Sequence, residues 1–179
     1  TITQPNRNLL LWRDPAVDGV KTGHHSGAGY CLMSSALRGD QRLIAVVMGS
    51  TSEKQRADDS MALLNWGFRF FETHRLYEAN KMIAQQRVWK GTTKEVQLGV
   101  AAPLLVGVPR GRYGDLKPTM DVPKLLEAPI TKGQAIGTVK VTLDGKLVAQ
   151  APLVALNDVE QGGFFRRLWD SLMMWWESE

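Results

Sequence analysis

One short stretch of the chain combines residue types that could act on a ligand, Val17-Asp18-Gly19-Val20-Lys21-Thr22-Gly23-His24. Lys21 supplies a cation, and Gly23 removes a side chain at a point where the backbone of a substrate could approach closely. Two apolar runs that resemble a hairpin follow at once. We therefore expect the triplet Lys21-Thr22-Gly23 to lie at the start of a sheet strand. The alternative is that Gly19 and Gly23 form turns at a strand end and that Lys21 is a solvated surface charge.

The elements that would position this stretch follow it in the chain. Gly29 to Leu37 and Arg42 to Gly49 are two apolar runs joined by a short polar loop that contains a glycine, which predicts a β-hairpin. Both runs are almost continuously apolar, and strands of this kind are usually covered on both faces. Two strands and one helix bury too little to form a domain, so we expect further elements of this domain upstream.

A helix is predicted to begin after Ser52, because Gln55 three residues later completes a capping-box pattern. Apolar residues then recur at spacings of three and four, which predicts one buried stripe; its members are Ala57, Met61, Leu64, Phe68 and Phe71. The aromatic residues around the end of this helix indicate core packing more than a ligand site; they are Trp66, Phe68, Phe70 and Phe71.

Residues 75–159 change character, with short apolar runs separated by turn signals. Asp144-Gly145 between two such runs is a strong hairpin signal. Strand-length pieces at intervals of about 8–12 residues predict a small β-sandwich, and we find no catalytic constellation within it.

Residues 160–179 predict an amphipathic helix. On a helical wheel, one continuous half holds Phe164, Phe165, Leu168, Trp169, Leu172, Met173, Trp175 and Trp176. This aromatic content favours an anchor in the membrane interface over a terminal helix that docks on the core of the protein. The N-terminus lacks the regions of a signal peptide, and no run of about 18 apolar residues predicts a spanning helix.

The composition, 44% hydrophobic and 22% charged residues, is that of an ordinary globular protein. The net charge is +4, and the basic residues form no stripe interleaved with aromatics, so we expect no nucleic-acid partner.

Cys31 is the single cysteine, which excludes an intramolecular disulfide, and we expect it to be a small buried hydrophobe. His24 and His25 would point to opposite faces of a strand, and His74 stands alone. We therefore expect no metal site and no cofactor.

Motifs spread along the whole chain resemble those of a known family. They are Gln4-Pro5-Asn6-Arg7-Asn8, Leu10-Leu11-Trp12, the Val17 to His24 stretch, Ala28-Gly29-Tyr30, Ala45-Val46-Val47-Met48-Gly49, Asn65 to Glu72, Pro109-Arg110-Gly111-Arg112, Leu143 to Lys146, Pro152-Leu153-Val154 and the aromatic tail. Together they resemble the D-alanyl-D-alanine carboxypeptidases of the penicillin-binding protein 5 type. The resemblance covers essentially all 179 residues.

The resemblance implies an α+β fold in three segments. Residues 1–74 would be the C-terminal part of a penicillin-binding, β-lactamase-like α/β catalytic domain, 75–159 a small β-sandwich domain, and 160–179 an amphipathic membrane-anchor helix. It also implies a serine peptidase at the periplasmic face of the bacterial inner membrane. Such an enzyme removes the terminal D-alanine of peptidoglycan pentapeptides through an acyl-enzyme, and β-lactams trap the same serine.

The resemblance also implies roles for individual residues. Lys21 would direct positive charge toward the terminal carboxylate of the substrate, and Thr22 would donate its hydroxyl to that carboxylate. Gly23 would complete the triplet on a strand that pairs with the substrate backbone, and the backbone N–H of His24 would serve the oxyanion hole. The carboxylate end of the site would be lined by Arg56 and Arg7. Without the resemblance, each arginine is a surface charge.

Two motifs that the family needs are absent from this sequence. No lysine has a serine three residues before it, and no serine has an asparagine two residues after it. The chain as given therefore cannot form an acyl-enzyme, and we expect it to be the C-terminal portion of an enzyme. His25 also replaces the threonine common in the family. A β-lactamase is a second interpretation, although β-lactamases lack an appended β domain and helix. A non-catalytic, membrane-tethered β module that binds a partner is a third.

Overall fold

A computed structural model describes residues 3–177 of the chain, with side chains described as far as Met174. The chain divides into two compact units. The first consists of Thr1–His74 with Gly107–Tyr113, and the second of Arg75–Val106 with Gly114–Glu179. The three segments expected from the sequence stay a prediction, and the two units are described separately.

The first unit is built on a three-stranded antiparallel sheet. A short helix, α1 (Leu10–Arg13), precedes the strands β1 (Val17–His25), β2 (Gly29–Arg38) and β3 (Gln41–Ser50), which lie in the order β1-β2-β3. The hairpin of β2 and β3 predicted from the sequence is confirmed, with Arg38 paired to Gln41 across a turn in which Gly39 has a φ of 60°.

The helix α2 (Glu53–Phe70) packs its apolar face on this sheet. Its predicted start is confirmed, because the Ser52 hydroxyl accepts a hydrogen bond of 3.0 Å from the Gln55 N–H. The core of the unit consists of Leu10, Val17, Leu32, Ala36, Ala45, Ala57, Leu64 and Phe68. The predicted stripe is wrong at its end, because Phe71 leaves the helix to begin a strand and is exposed.

The aromatic residues at the end of α2 also differ from the prediction. Trp66 and Phe70 are exposed, and together with Phe71 they form a surface cluster with ring centroids 5.5 and 5.6 Å from Trp66. The prediction of core packing holds for Phe68 alone, which is 8% exposed. The reason is the helical period, which places Phe68 in line with Leu64 and turns its neighbours outward.

One face of the sheet is open in the described chain. Ile44, Val46 and Met48 alternate along β3 and are 63%, 52% and 76% exposed. Met33 on β2, which lies opposite Val46, is 42% exposed. The prediction that both faces are covered is therefore wrong for residues 3–177, because α2 covers one face only.

Within the second unit, five strands form one antiparallel sheet in the order β5-β6-β10-β9-β8. The strands are β5 (Ala84–Arg87), β6 (Glu95–Gly99), β8 (Lys117–Asp121), β9 (Ala135–Leu143) and β10 (Lys146–Ala155). The hairpin predicted at Asp144-Gly145 is confirmed, with positive φ of 51° and 76° at its two turn residues. Two further strands, β4 (Phe71–Tyr77) and β7 (Leu104–Pro109), form a separate pair.

Short irregular segments cover the five-stranded sheet. The core combines Val88, Val96, Leu98, Leu126, Ala128, Ile130, Ile136, Ala155 and Val159. Several of these residues lie in segments that pair only through isolated bridges, at Trp89 with Glu127 and at Ile130 with Val159. The predicted sandwich of two sheets is therefore not what the described strands form.

The last element is the helix α3 (Phe164–Glu177). The side chains of Trp175 and Trp176, which the sequence assigns to the membrane anchor, lie outside the described side chains.

Candidate functional site

A polar cleft of about 310 Å³ lies beside β1 in the first unit. Its lining comprises Asn6, Asn8, Leu11, Asp18, Gly19, Val20, Lys21 and Thr22. The segment before α1 closes one side through Asn8, whose side-chain amide donates to the Gly19 carbonyl at 3.2 Å. The Asn8 side-chain oxygen accepts from the Leu10 N–H at 3.1 Å, so one buried asparagine joins the first residue of α1 to the strand β1 beside the cleft.

The sheet register places Lys21 on the open face. Lys21 lies opposite Met33 and Met33 opposite Val46, and directly opposed residues of antiparallel strands share a face. The ammonium group donates to the Thr22 carbonyl at 3.0 Å and has no ion-pair partner within residues 3–177. A cation in this position is available to an anionic group on a ligand.

β1 is also an edge strand, since no strand of the described chain pairs with its outer side. The unpaired N–H and C=O groups of such an edge can add an extended peptide as a further strand. Lys21 and Thr22 line the cleft from this strand. The arrangement suits an extended peptide segment that carries a negative charge.

Arg56 joins the strand to the N-terminal segment. It is 2% exposed, and its guanidinium donates to the Gly23 carbonyl at 3.3 Å and to the Arg7 carbonyl at 3.0 Å. A third bond of 3.3 Å reaches the Glu53 carboxylate. Arg56 therefore reaches the strand that carries Lys21. Its predicted contact with a substrate carboxylate stays a prediction, as does that of Arg7, whose side chain is exposed.

His24 lies against Tyr30, with ring centroids 4.1 Å apart. The Arg56 guanidinium lies 5.6 Å from the centroid of the same Tyr30 ring, within the range of a cation–π contact. His25 accepts a hydrogen bond from the Gly27 N–H at 3.1 Å. Cys31 is half-buried rather than buried as predicted, and its thiol faces the Ala28 carbonyl at 3.5 Å.

Two acidic groups of the first unit, Asp18 in the cleft and Asp14 before β1, are held by basic partners. Arg42 donates to both oxygens of Asp18, at 2.8 and 3.0 Å. This bond, followed by that of the Ser35 hydroxyl, lowers the pKa of Asp18 from its ordinary value. The Ala16 N–H and then Arg38 lower the pKa of Asp14. Both carboxylates are therefore engaged by arginines and do not pair with Lys21.

The structure brings most of the predicted site residues together in the first unit. Lys21 and Thr22 line the cleft, and Gly23 is joined to Arg56. Sequence reasoning did not single out Asn8 or Tyr30. An asparagine two residues before an apolar helical turn is a recognisable signal for Asn8, whereas the contacts of Tyr30 come from pairing along the strand and leave no sequence signal.

A second set of predicted residues lies on α3. The exposed fractions are 72% for Phe164, 84% for Phe165, 62% for Leu168, 65% for Trp169 and 62% for Leu172. Among the residues that the structure describes, no helix has the length and hydropathy needed to cross a bilayer. No group of three or more potential metal-ligating side chains converges in that same part of the chain.

Comparison with known proteins adds independent findings. Residues 71–161 match the family model described as penicillin-binding protein 5, C-terminal domain, and residues 1–52 match that of D-alanyl-D-alanine carboxypeptidase. The chain is 48% identical to D-alanyl-D-alanine carboxypeptidase DacC of Escherichia coli over 97% of its own length and 44% of the relative. It is 46% identical to DacA of Haemophilus influenzae over 97% of its length and 45% of the relative.

Solved structures agree with these matches. Penicillin-binding protein 5 of Haemophilus influenzae superposes with a TM-score of 0.79 at 46% identity, over 89% of this chain and 47% of that chain. The chain therefore belongs to the D-alanyl-D-alanine carboxypeptidase family of the penicillin-binding protein 5 type. It spans about 44% of the length of DacC of Escherichia coli and 43% of that of DacA from the same organism.

Proposed function

We propose that this chain supplies the Lys21-Thr22-Gly23 side of the active site of a serine-type D-alanyl-D-alanine carboxypeptidase. The substrate would be the pentapeptide of peptidoglycan, and β-lactams would inhibit the enzyme. The observation that carries the proposal is the position of Lys21, which lies beside a cleft on the open edge strand β1 and has no acidic partner within residues 3–177. Family membership supports the same assignment.

The geometry suggests how these residues would contribute. An extended peptide along the outer edge of β1 would gain backbone hydrogen bonds, as in strand addition. Its terminal carboxylate would interact with the Lys21 ammonium and the Thr22 hydroxyl. The backbone N–H of His24 would stabilise the oxyanion that forms at the scissile carbonyl. Arg56 would hold the strand in place through the Gly23 carbonyl.

The covalent step needs a nucleophile that this sequence does not contain. In the proposed reaction, a serine oxygen attacks the carbonyl carbon of the penultimate residue, and the peptide C–N bond breaks. The D-alanine amine leaves with a proton, and water then hydrolyses the ester and frees the serine. Since the chain spans less than half of its relatives, we propose that the remaining part of such a protein supplies the serine. The chain alone would be inactive.

We further propose that α3 attaches the protein to the periplasmic face of the inner membrane. The support is the set of outward apolar side chains, led by Phe165 at 84% exposure. A helix with such a face lies in the plane of the interface and does not cross the bilayer. Burial of the aromatic face would have to supply the binding, because residues 160–179 hold more acidic than basic groups.

Labelling with a fluorescent penicillin tests the enzymatic proposal. Membranes of the native source are labelled, and the intact mass is measured for any labelled protein that contains these peptides. We expect a labelled species of roughly twice the 19.9 kDa of this chain, consistent with its share of the relatives. An unlabelled native species of 19.9 kDa would instead support a non-catalytic β module.

A variant pair then tests the role of Lys21 in the labelled parent protein. Lys21→Ala should slow acylation by the penicillin at least tenfold while the melting temperature stays unchanged. Lys146→Ala is the matched control, because this lysine is the exposed first residue of β10. Equal acylation rates in both variants would remove Lys21 from the proposed site.

A further inference from the structure

The exposed and half-buried positions of α3 follow the helical period. Arg166, Asp170, Met173 and Met174 are half-buried, at spacings of four, three and one, which define one side of a helix. The residues on the other side are exposed, with Phe165 at 84% and Leu168 at 62%. The side that faces the rest of the second unit therefore carries Arg166 and Asp170 together with two methionines, and the most exposed apolar residues lie on the other side.

Three polar contacts fix this orientation, and they recur every fourth residue. The Gly162 N–H donates to the Lys90 carbonyl at 2.7 Å, just before the helix begins. Arg166 donates to the Thr92 carbonyl at 2.9 Å. One turn later, the Asp170 carboxylate accepts from the Lys90 N–H at 2.7 Å.

The partner segment is itself held firmly. Lys90 has a φ of 58°, a left-handed conformation that residues with a side chain rarely adopt. Its N–H and C=O are bound by Asp170 and Gly162, and its ammonium pairs with Glu127 at 2.7 Å. Gly162 approaches so closely that a Cβ there would lie 3.1 and 3.2 Å from the carbonyl oxygens of Gly91 and Lys90.

We propose that Asp170 is a positioning residue that docks α3 on the Lys90–Thr92 segment by its polar edge. The apolar side is then presented to a lipid surface by a helix that is folded and oriented before it meets the membrane. This inference rests on the proposed membrane attachment and specifies the orientation in which α3 would meet the membrane. A charge-assisted hydrogen bond to a backbone N–H is among the stronger contacts that a carboxylate can make.

Hydrogen exchange of the full chain, without and with vesicles of neutral phosphatidylcholine, tests the proposal. Asp170→Ala removes the acceptor, and Ser171→Ala is the matched control, since its hydroxyl bonds only within the helix, to the Arg167 carbonyl at 2.8 Å. Both changes raise helix propensity, so neither is expected to unfold α3. The Gly162 amide reports undocking, because neither substitution removes its own acceptor, the Lys90 carbonyl. We expect the Gly162 amide to exchange at least tenfold faster in Asp170→Ala than in Ser171→Ala.

The vesicles separate this inference from the proposed attachment. We expect the wild-type chain to cosediment with the vesicles while its Lys90 amide stays protected, and Leu168→Asp to lose cosedimentation but keep that protection. Equal exchange of the Gly162 amide in Asp170→Ala and Ser171→Ala overturns the docking. Loss of wild-type protection when vesicles are added also overturns it, because the helix would then leave the unit to bind. A wild-type chain that stays protected but never cosediments contradicts the membrane attachment and supports the docking contact alone.

Discussion

Replacing Arg56 by methionine tests whether the buried guanidinium holds the site strand in place. Methionine has a side chain of similar reach and keeps the apolar contacts of the arginine stem. The substitution removes three hydrogen bonds, to Gly23, Arg7 and Glu53. We expect the free energy of unfolding of the first unit to fall by about 2–4 kcal/mol.

The magnitude follows from the surroundings of each acceptor. The Glu53 side chain is 50% exposed, so its bond contributes at most about 1 kcal/mol. The two carbonyl oxygens lie against a side chain that is 2% exposed. Each loses a bond from a charged donor, which is typically worth about 1.5–3 kcal/mol, and water entering the vacated space recovers part of this loss.

Urea unfolding of the full chain measures the effect, and Lys54→Met is the matched control. Lys54 lies on the same helix, is 77% exposed and forms one pair with Asp58, so its loss should cost less than about 0.5 kcal/mol. If Arg56→Met costs no more than this control, the guanidinium does not hold the strand and the reasoning is refuted. Arg56→Lys should lie between the two, because one ammonium cannot bridge carbonyls as the planar guanidinium does.

Two other measurements probe the first unit. Gly29 and Gly39 have φ of 65° and 60°, but only a Cβ at Gly29 would meet a backbone oxygen at 2.9 Å. Gly39→Ala should therefore lower the free energy of unfolding by about 1–2 kcal/mol, and Gly29→Ala should lower it clearly more. Equal urea midpoints for the two variants would contradict this. The Gly111 N–H and then His74 hold the pKa of Glu72 below its ordinary value of 4.5, so its stabilisation is complete above that value and is lost as the pH falls through the lower folded pKa. The melting temperature of Glu72→Gln should then fall less than that of the wild type between about pH 6 and about pH 3, and parallel curves would show that this carboxylate does not contribute.

Local signals in the sequence predicted local structure well. The Ser52 cap and the Asp144-Gly145 turn depend on residues within a few positions of one another, and both are confirmed. Arg56 was harder to interpret, because a charged residue suggests a surface position and its acceptors lie 33 and 49 positions away. The bond between Lys90 and Asp170 spans 80 positions and leaves no pattern in the sequence.

The interpretation of β3 failed for a different reason. A continuous apolar run indicates that both faces of a strand avoid water, but it does not say which chain segment covers each face. Within residues 3–177, α2 covers the face of Ala45 and leaves that of Val46 open. The residue types of Lys21 and Thr22 likewise do not say which ligand they contact. Their roles came from the resemblance to a family and stay predictions.

Methionine oxidation can be used to measure whether the open sheet face is covered. Met33 and Met48 stand 42% and 76% exposed on β2 and β3, and an accessible thioether is readily oxidised to the sulfoxide. Any segment that settles over this face would shield both sulfur atoms from dilute peroxide. The extent of sulfoxide formation at these two methionines, read from peptide masses, therefore reports whether the face beside Lys21 is covered in the protein as the cell makes it.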